Sequence, residues 1–304
     1  MPRAVSPPVP PRQMPPARTV SVPGRGEFFV RDTALACANG ASAAPEPPVA
    51  PASERPTVLL LHGWVVSADL NWHGAYDALA RAGHRVIALD HRGHGRGLRA
   101  PARFRLEDCA ADAAAVLRTL GTGPAVAVGY SLGGTVAQLM ARDHRDVVSG
   151  IVLSGTCQHF QDPATQKVWK WMGLIGVAIG LAPRAFYRAG FRRNGLALDG
   201  ELGAWTIGEL MRHEARDVAE AGRELGRFDS RPWLGSVDVP AAMVLTARDR
   251  AVSPRKQREL AAACGVTDDR LFEVALDHLE LTARADVYNP ALVAAIASLE
   301  VSAG

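Results

Sequence analysis

A surplus of charge of one sign is absent from this chain. Its 34 Lys and Arg stand against 31 Asp and Glu, a formal net charge of only +3 over 304 residues. That is far from the basic excess that nucleic-acid binding draws on, so nucleic acid is not expected as a partner. Lysine is nearly missing, with 3 Lys to 31 Arg along the chain, a bias that reads as genome composition rather than as a binding surface. Cysteine is scarce as well. Cys37, Cys109, Cys157 and Cys264 are scattered without metal-ligand spacing, and in so large a domain they are expected as reduced thiols rather than a disulfide framework. No apolar run is long enough to span a bilayer. The longest, from Trp171 to Ala182, is about twelve residues where roughly 20 are needed. Residues 1–16 have two Arg and many Pro but no apolar stretch of the secretory kind, so a cytoplasmic location is the expectation.

What is present is a globular composition, 48% hydrophobic and 21% charged, with material for one large domain or a domain carrying an insertion. The Pro-rich residues 1–19 are expected to be a disordered arm. Phe28-Phe29-Val30 reads as a first strand, and the Ala/Pro-rich stretch from Ala38 to Pro56 as an exposed loop. Thereafter short apolar runs alternate with helical spacing. Thr57 to Leu61, Arg85 to Asp90, Ala125 to Val128, Gly150 to Leu153, Ala241 to Thr246 and Leu271 to Ala275 read as strands. Tyr76 to Ala82, Leu106 to Leu120 and Gly134 to His144 read as helices. This alternation predicts an α/β fold with a mostly parallel sheet flanked by helices. The rhythm breaks between Cys157 and Val239, a largely helical segment expected to be an insertion resting on the sheet. The predicted organisation is a core of residues 20–156 and 240–304, with 157–239 inserted in it.

Gly129-Tyr130-Ser131-Leu132-Gly133 joins the strand Ala125–Val128 to a helix. A serine hydroxyl becomes a useful nucleophile only when it is exposed, oriented and given a base. A G-x-S-x-G turn between strand and helix meets the geometric part, because residues without Cβ let the flanking elements close in. Ser131 is therefore the candidate nucleophile.

Three pieces in order, Leu60-Leu61-His62-Gly63-Trp64, Asp90-His91-Arg92-Gly93-His94-Gly95 and Gly129-Tyr130-Ser131-Leu132-Gly133-Gly134, resemble the α/β-hydrolase fold superfamily, over residues 57–300 once the C-terminal pieces are included. The resemblance implies a Ser–acid–His triad and a lid inserted between the sixth and seventh strands. It places the base on a loop after the last strand, where His278 is the one of nine histidines that follows a strand candidate near the C-terminus. The acid is expected to end a strand about thirty residues earlier. Asp249 does so, and the Val252-Ser253-Pro254 that follows matches the family's habit; Asp162, after the preceding strand, is the rival. Asp268, Asp269 and Asp277 read as solvated loop charges. The backbone N–H groups of Leu132 and Trp64 are the expected oxyanion donors, with Val65 as the alternative to Trp64. His62 is expected to shape its loop, and Asp90, Arg92 and His94 to act as scaffolding. No metal or cofactor is expected.

Families of this fold with Asp at the elbow, the haloalkane dehalogenases and soluble epoxide hydrolases, are disfavoured by Ser131. The expected activity is hydrolysis of carboxylic esters with an apolar acyl or alcohol group, in the manner of a lid-bearing esterase or lipase. Lactonase, thioesterase and perhydrolase or haloperoxidase-like activity on the same residues stay open, as does a slow-turnover binding protein. The inserted segment, rich in Trp and Gly and flanked by bases, has three readings. It packs as a lid on the core, it lines an apolar pocket with Trp169 and Trp171 beside Tyr130, or it touches an anionic membrane surface transiently. Its glycines 173, 176 and 180 weaken the helix and suggest movement.

Overall fold

The computed structural model describes residues 14–37, 55–193, 198–281 and 283–300. Eight strands form one sheet: β1 (Ala17–Val22), β2 (Gly26–Asp32), β3 (Thr57–Leu61), β4 (Val86–Leu89), β5 (Ala125–Tyr130), β6 (Val148–Ser154), β7 (Ala241–Thr246) and β8 (Leu271–Val274). The helices are α1 (Ala68–Trp72), α2 (Tyr76–Arg81), α3 (Leu106–Leu120), α4 (Leu132–Asp143), α5 (Pro163–Lys170), α6 (Met172–Leu181), α7 (Pro183–Arg193), α8 (Gly200–Leu210), α9 (Ala215–Arg227), α10 (Pro254–Ala263) and α11 (Ala285–Glu300). The sheet order is β1-β2-β4-β3-β5-β6-β7-β8. The pairs β1–β2 and β2–β4 are antiparallel and all others parallel.

Every residue of β3, β4, β5 and β7 is buried. These strands read as continuous apolar runs because helices cover both faces of a parallel sheet. One core layer packs α3 and α4 on one face, through Leu59, Ala127, Leu153 and Met243. The other packs α2 and α11 on the opposite face, through Leu60, Val128, Val152 and Val244.

Two sequence expectations change. The first strand is β1, and it takes in residues 17–19 of the stretch expected as disordered; residues 1–13 lie outside the described residues. Val20 and Val22 point inward while Ala17, Thr19 and Ser21 are exposed, a period of two that the prolines upstream obscured. Phe28–Val30 is the middle of β2, the second strand. The loop expected over 38–56 lies mostly outside the described residues, which resume at Arg55.

Helices α5 to α9 all fall between β6 and β7. The flanking residues of this segment belong to the main core: Cys157 and Phe160 before it and Phe228 after it are buried there, and His159 bridges to Asp229. A separate apolar cluster joins the inserted helices to the core: Ile179, Tyr187, Trp205, Leu210 and Val218 meet Leu70 of α1. No helix among the described residues is long and apolar enough to cross a membrane.

Candidate active site

β5 runs straight into Ser131, which has φ +53 and ψ −114 and opens α4. Such a backbone is sparsely allowed for a residue with a side chain and persists only where its surroundings fix it. The Ser131 N–H donates to the Ser154 carbonyl of β6 at 3.0 Å, and the Gly134 N–H donates back to the Ser131 carbonyl at 2.9 Å. The flanking glycines are required by contact. A Cβ on Gly133 would lie 2.0 Å from the Leu61 carbonyl oxygen, and one on Gly129 would lie 2.3 Å from that of Gly133. Leu132 is the first residue of α4, so its N–H has no acceptor within the helix and adds to the positive end of the helix dipole.

His278 and Asp249 come to Ser131 from the far end of the chain. The Ser131 hydroxyl donates to His278 Nε2 at 3.1 Å, and His278 Nδ1 donates to Asp249 Oδ2 at 2.7 Å. Three further donors reach the Asp249 carboxylate: Thr246 Oγ1 at 2.9 Å, the Ala251 N–H at 2.9 Å and the Val252 N–H at 2.7 Å. With four donors it is fixed in orientation. The rival Asp162 is elsewhere, paired with Lys256. Asp277, expected as a solvated charge, instead accepts from the His278 N–H at 2.6 Å and pairs with Arg250, which braces the turn carrying His278.

The other non-glycine residue with positive φ among the described residues is Val65, at +67. For a β-branched residue this is a pronounced outlier, and it lies in the turn facing Ser131. Asn71 of α1 holds that turn. Its Oδ1 accepts from the Gly63 N–H at 2.8 Å, and an added Cβ on Gly63 would stand 3.5 Å from both Asn71 Oδ1 and Ser131 Cβ. Nothing in the sequence pattern marked Asn71, since an Asn inside a short helix has no signature of its own.

Behind the turn His62, His91, His94 and His213 are clustered, with ring centroids 4.3 Å apart for His62–His91, 5.6 Å for His62–His94 and 5.4 Å for His94–His213. His62 Nε2 accepts from the His91 N–H at 2.9 Å, so its proton sits on Nδ1, which lies 2.8 Å from the Gly63 carbonyl. Burial is the largest cause holding all four rings below the ordinary imidazole range, His91 at about 3 and His94 at about 4. No group of three or more His, Cys, Asp or Glu among the described residues is arranged to hold a metal ion. Asp90 accepts from the Ala68 and Arg96 N–H groups at 2.6 and 2.7 Å, and burial pushes its carboxyl up to about 6. Arg92 binds Asp112 through Nε and Nη2 at 2.9 and 2.7 Å. These groups tie loops together and none lines the cavity over Ser131.

That cavity encloses about 410 Å³, the scale of a small-molecule site. Ser131, His278, Tyr130, Gly63, Trp64 and Asn71 form its floor, and Leu70, Phe191, Leu198, Leu202 and Trp205 are among its apolar walls. Tyr130 lines it as expected, and its hydroxyl donates to the His278 carbonyl. Trp169 and Trp171 do not line it. The Trp169 ring is wedged edge-on against Trp64 at 5.7 Å and against Gly226, and its Nε1 donates to the Phe160 carbonyl. Trp171 points outward and is 61% exposed. The helices supplying the inserted wall are α7 and α8, where the sequence had pointed to α5 and α6.

The α/β-hydrolase fold family model matches residues 56–173. Across 262 residues the chain is 31% identical to a non-heme haloperoxidase of Rhodococcus erythropolis, covering 81% of this chain and 93% of that one. The chain belongs to the α/β-hydrolase fold family. A bifunctional esterase/perhydrolase of Acinetobacter calcoaceticus is 39% identical over 101 residues, 33% of this α/β-hydrolase and 36% of the relative. The enol-lactonase of Burkholderia xenovorans LB400 has the same fold, with a TM-score of 0.71 at 21% identity over 93% of this chain and 100% of that one.

Proposed function

We propose that this hydrolase cleaves carboxylic esters with an apolar acyl or alcohol group through an acyl-enzyme on Ser131. The observation that carries the reading is the hydrogen-bonded row Ser131–His278–Asp249 on the floor of an apolar cavity. His278 Nε2 takes the hydroxyl proton as Ser131 Oγ attacks the carbonyl carbon. The ester C–O bond then breaks, and the alkoxide leaves with the proton from His278. A water molecule, deprotonated by the same nitrogen, attacks the acyl-serine and releases the carboxylic acid. Asp249 holds the imidazole in the tautomer that leaves Nε2 free to accept and stabilises the imidazolium that forms.

The developing oxyanion is received by the Leu132 and Trp64 N–H groups. Trp64 is favoured over Val65 because Trp64 borders the cavity, and because the preceding amide, Gly63, is committed to Asn71. The inserted helices act as a lid, α7 and α8 shaping the acyl or alcohol site. Free Cys109, Cys157 and Cys264 support a cytoplasmic protein.

A series of p-nitrophenyl esters of rising chain length tests this, with fluorophosphonate labelling to identify the nucleophile. Turnover that vanishes in Ser131→Ala and labelling at Ser131 are the expected results. Labelling at another serine, or full activity in the variant, overturns the assignment. The likeness to a haloperoxidase and to an esterase/perhydrolase favours one second reading, interception of the same acyl-serine by hydrogen peroxide to give a peracid. Peracid formation from acetate and peroxide, lost in Ser131→Ala, distinguishes it.

A further inference from the structure

Helix α6 is apolar on every side, and among the described residues only one side is covered. Its inner face packs on α9. Met172 and Ile179 are buried, and Gly173, Gly176 and Gly180 sit against Arg223, Ala219 and Ala215, an added Cβ on Gly176 coming 2.9 Å from that of Ala219. At Gly176 the missing side chain lets α6 approach α9 closely. No described residue packs against the outer face. Val168 of α5, Trp171 at the junction of α5 and α6, and Leu174, Val177 and Leu181 of α6 are 45%, 61%, 59%, 56% and 82% exposed, and the last three share one face of α6 at spacings of three and four residues. They are five of the eight large hydrophobic side chains exposed among the described residues. A helix on the surface of a protein in water ordinarily turns polar residues outward, and a contiguous apolar surface marks a place of contact.

The charge around this row says what the contact is. From 163 to 193 the chain carries Lys167, Lys170, Arg184, Arg188, Arg192 and Arg193 and no acidic residue, and two of the chain's three lysines are among them. All six are exposed, and none forms an ion pair among the described residues, where most other arginines do. Lys167 and Lys170 lie on α5 just before Trp171, and Arg184, Arg188 and Arg192 recur every fourth residue along α7.

We infer that the outer face of α5–α7 docks on an anionic lipid bilayer, with Trp171, Leu174, Val177 and Leu181 in the headgroup–acyl boundary and the six bases on the headgroup phosphates. The argument is one of matched chemistry. An apolar row alone suits any greasy partner, but an apolar row edged by unpaired bases suits a surface that is apolar below and negative above. Trp is the side chain that favours that boundary. The same α7 that faces outward with Arg188 and Arg192 lines the cavity with Phe191, so docking brings the lipid surface next to the wall of the cavity. The inference does not depend on the ester reading of Ser131.

Cosedimentation of the full chain with phosphatidylcholine vesicles, with and without phosphatidylglycerol, tests it. The chain is expected to bind the phosphatidylglycerol vesicles, to bind pure phosphatidylcholine at least tenfold more weakly, and to be released as salt is raised. Trp171→Ser/Leu174→Ser/Leu181→Ser removes the apolar row and is expected to abolish binding. Arg184→Glu/Arg188→Glu is expected to weaken it by at least about 25-fold, at about fivefold for each basic side chain near an anionic surface. None of these residues lines the cavity, so the variants' thermal unfolding midpoints, which report folding, should stay close to that of the parent. Three results overturn the inference: a parent that ignores anionic vesicles, a folded triple variant that binds as well as the parent, or a parent whose exposed row is consumed by self-association in sedimentation velocity while vesicles stay unbound.

Discussion

Tyr130 donates its phenolic hydrogen to the main-chain carbonyl of His278, so the residue before Ser131 holds the loop that carries His278. The two rings also lie 5.1 Å apart. This contact spans 148 residues of sequence and joins the end of β5 to the turn after β8. It makes the distance between Ser131 and His278 a property of the sheet edge as well as of the loop.

Replacing Tyr130 by Phe keeps the packing and removes that donor. A net hydrogen bond is worth about 0.5–1.5 kcal/mol, so kcat for a p-nitrophenyl ester is expected to fall roughly 3- to 10-fold with little change in the unfolding midpoint. Steady-state kinetics beside thermal unfolding checks it.

Asp249→Asn leaves the site's shape intact but offers His278 Nδ1 an amide in place of a carboxylate. The imidazole then loses its enforced tautomer, and a drop of about 10⁴ in kcat is expected. Asp162→Asn, at the rival acid, is expected to leave kcat within about twofold. Comparing the two variants on one substrate discriminates between the acids, since a large loss in the second and none in the first would reverse the assignment.

Asn71→Leu tests the turn of residues 63–65. Without Oδ1 the Gly63 N–H loses its partner, and the Trp64 amide loses its fixed direction. Removing a whole oxyanion donor costs about 10²–10³ in kcat; misaiming one is expected to cost about 10- to 100-fold, with KM nearly unchanged. Affinity for an alkyl boronic acid, which mimics the tetrahedral species, should fall in parallel with kcat, whereas a loss of stability alone would leave it intact in the folded fraction.

The buried histidine cluster is expected to make the fold sensitive to acid. Burial holds His91 and His94 down at about 3 and about 4, below the ordinary 6.5 of a free imidazole, and shifts His62 and His213 in the same direction. Groups held neutral in this way contribute stability that is complete above pH 6.5. It is lost as pH falls from there toward the folded values, because the unfolded chain takes up the protons first. Asp90, raised to about 6 from 3.8, has the opposite sign and recovers stability between pH 6 and 3.8. Burial raises Asp112 and Asp217 in the same way; with four rings against three carboxyls, unfolding free energy from urea titrations is expected to fall below pH 6.5. His91→Gln is expected to reduce that slope by about one proton; an unchanged slope would show that His91 is already charged in the folded protein.

The elbow at Ser131 was legible in the sequence because its requirements are local. A buried strand, a turn of small residues and a helix must follow one another within about fifteen residues, and 125–140 does this with Gly129 and Gly133 where backbones collide. His278 and Asp249 were legible at one remove, through the position each holds after a strand. Asn71, the brace from Tyr130 to the His278 carbonyl and the pairing of Asp277 with Arg250 were not, because each is a contact between segments that the sheet alone brings together.

By itself, then, the sequence determined the alternating elements, the buried parallel strands and the elbow at Ser131, all products of short-range periodicity and steric limits on the backbone. Only the tertiary structure decided which side chains between β6 and β7 line the cavity. Trp169 and Trp171 have the composition of a pocket wall, yet one wedges α5 against α9 and the other faces outward, while Phe191, Leu202 and Trp205 close the cavity. Apolarity drives a side chain out of water without saying which neighbour it will find, and that is decided by contacts between segments far apart in the sequence.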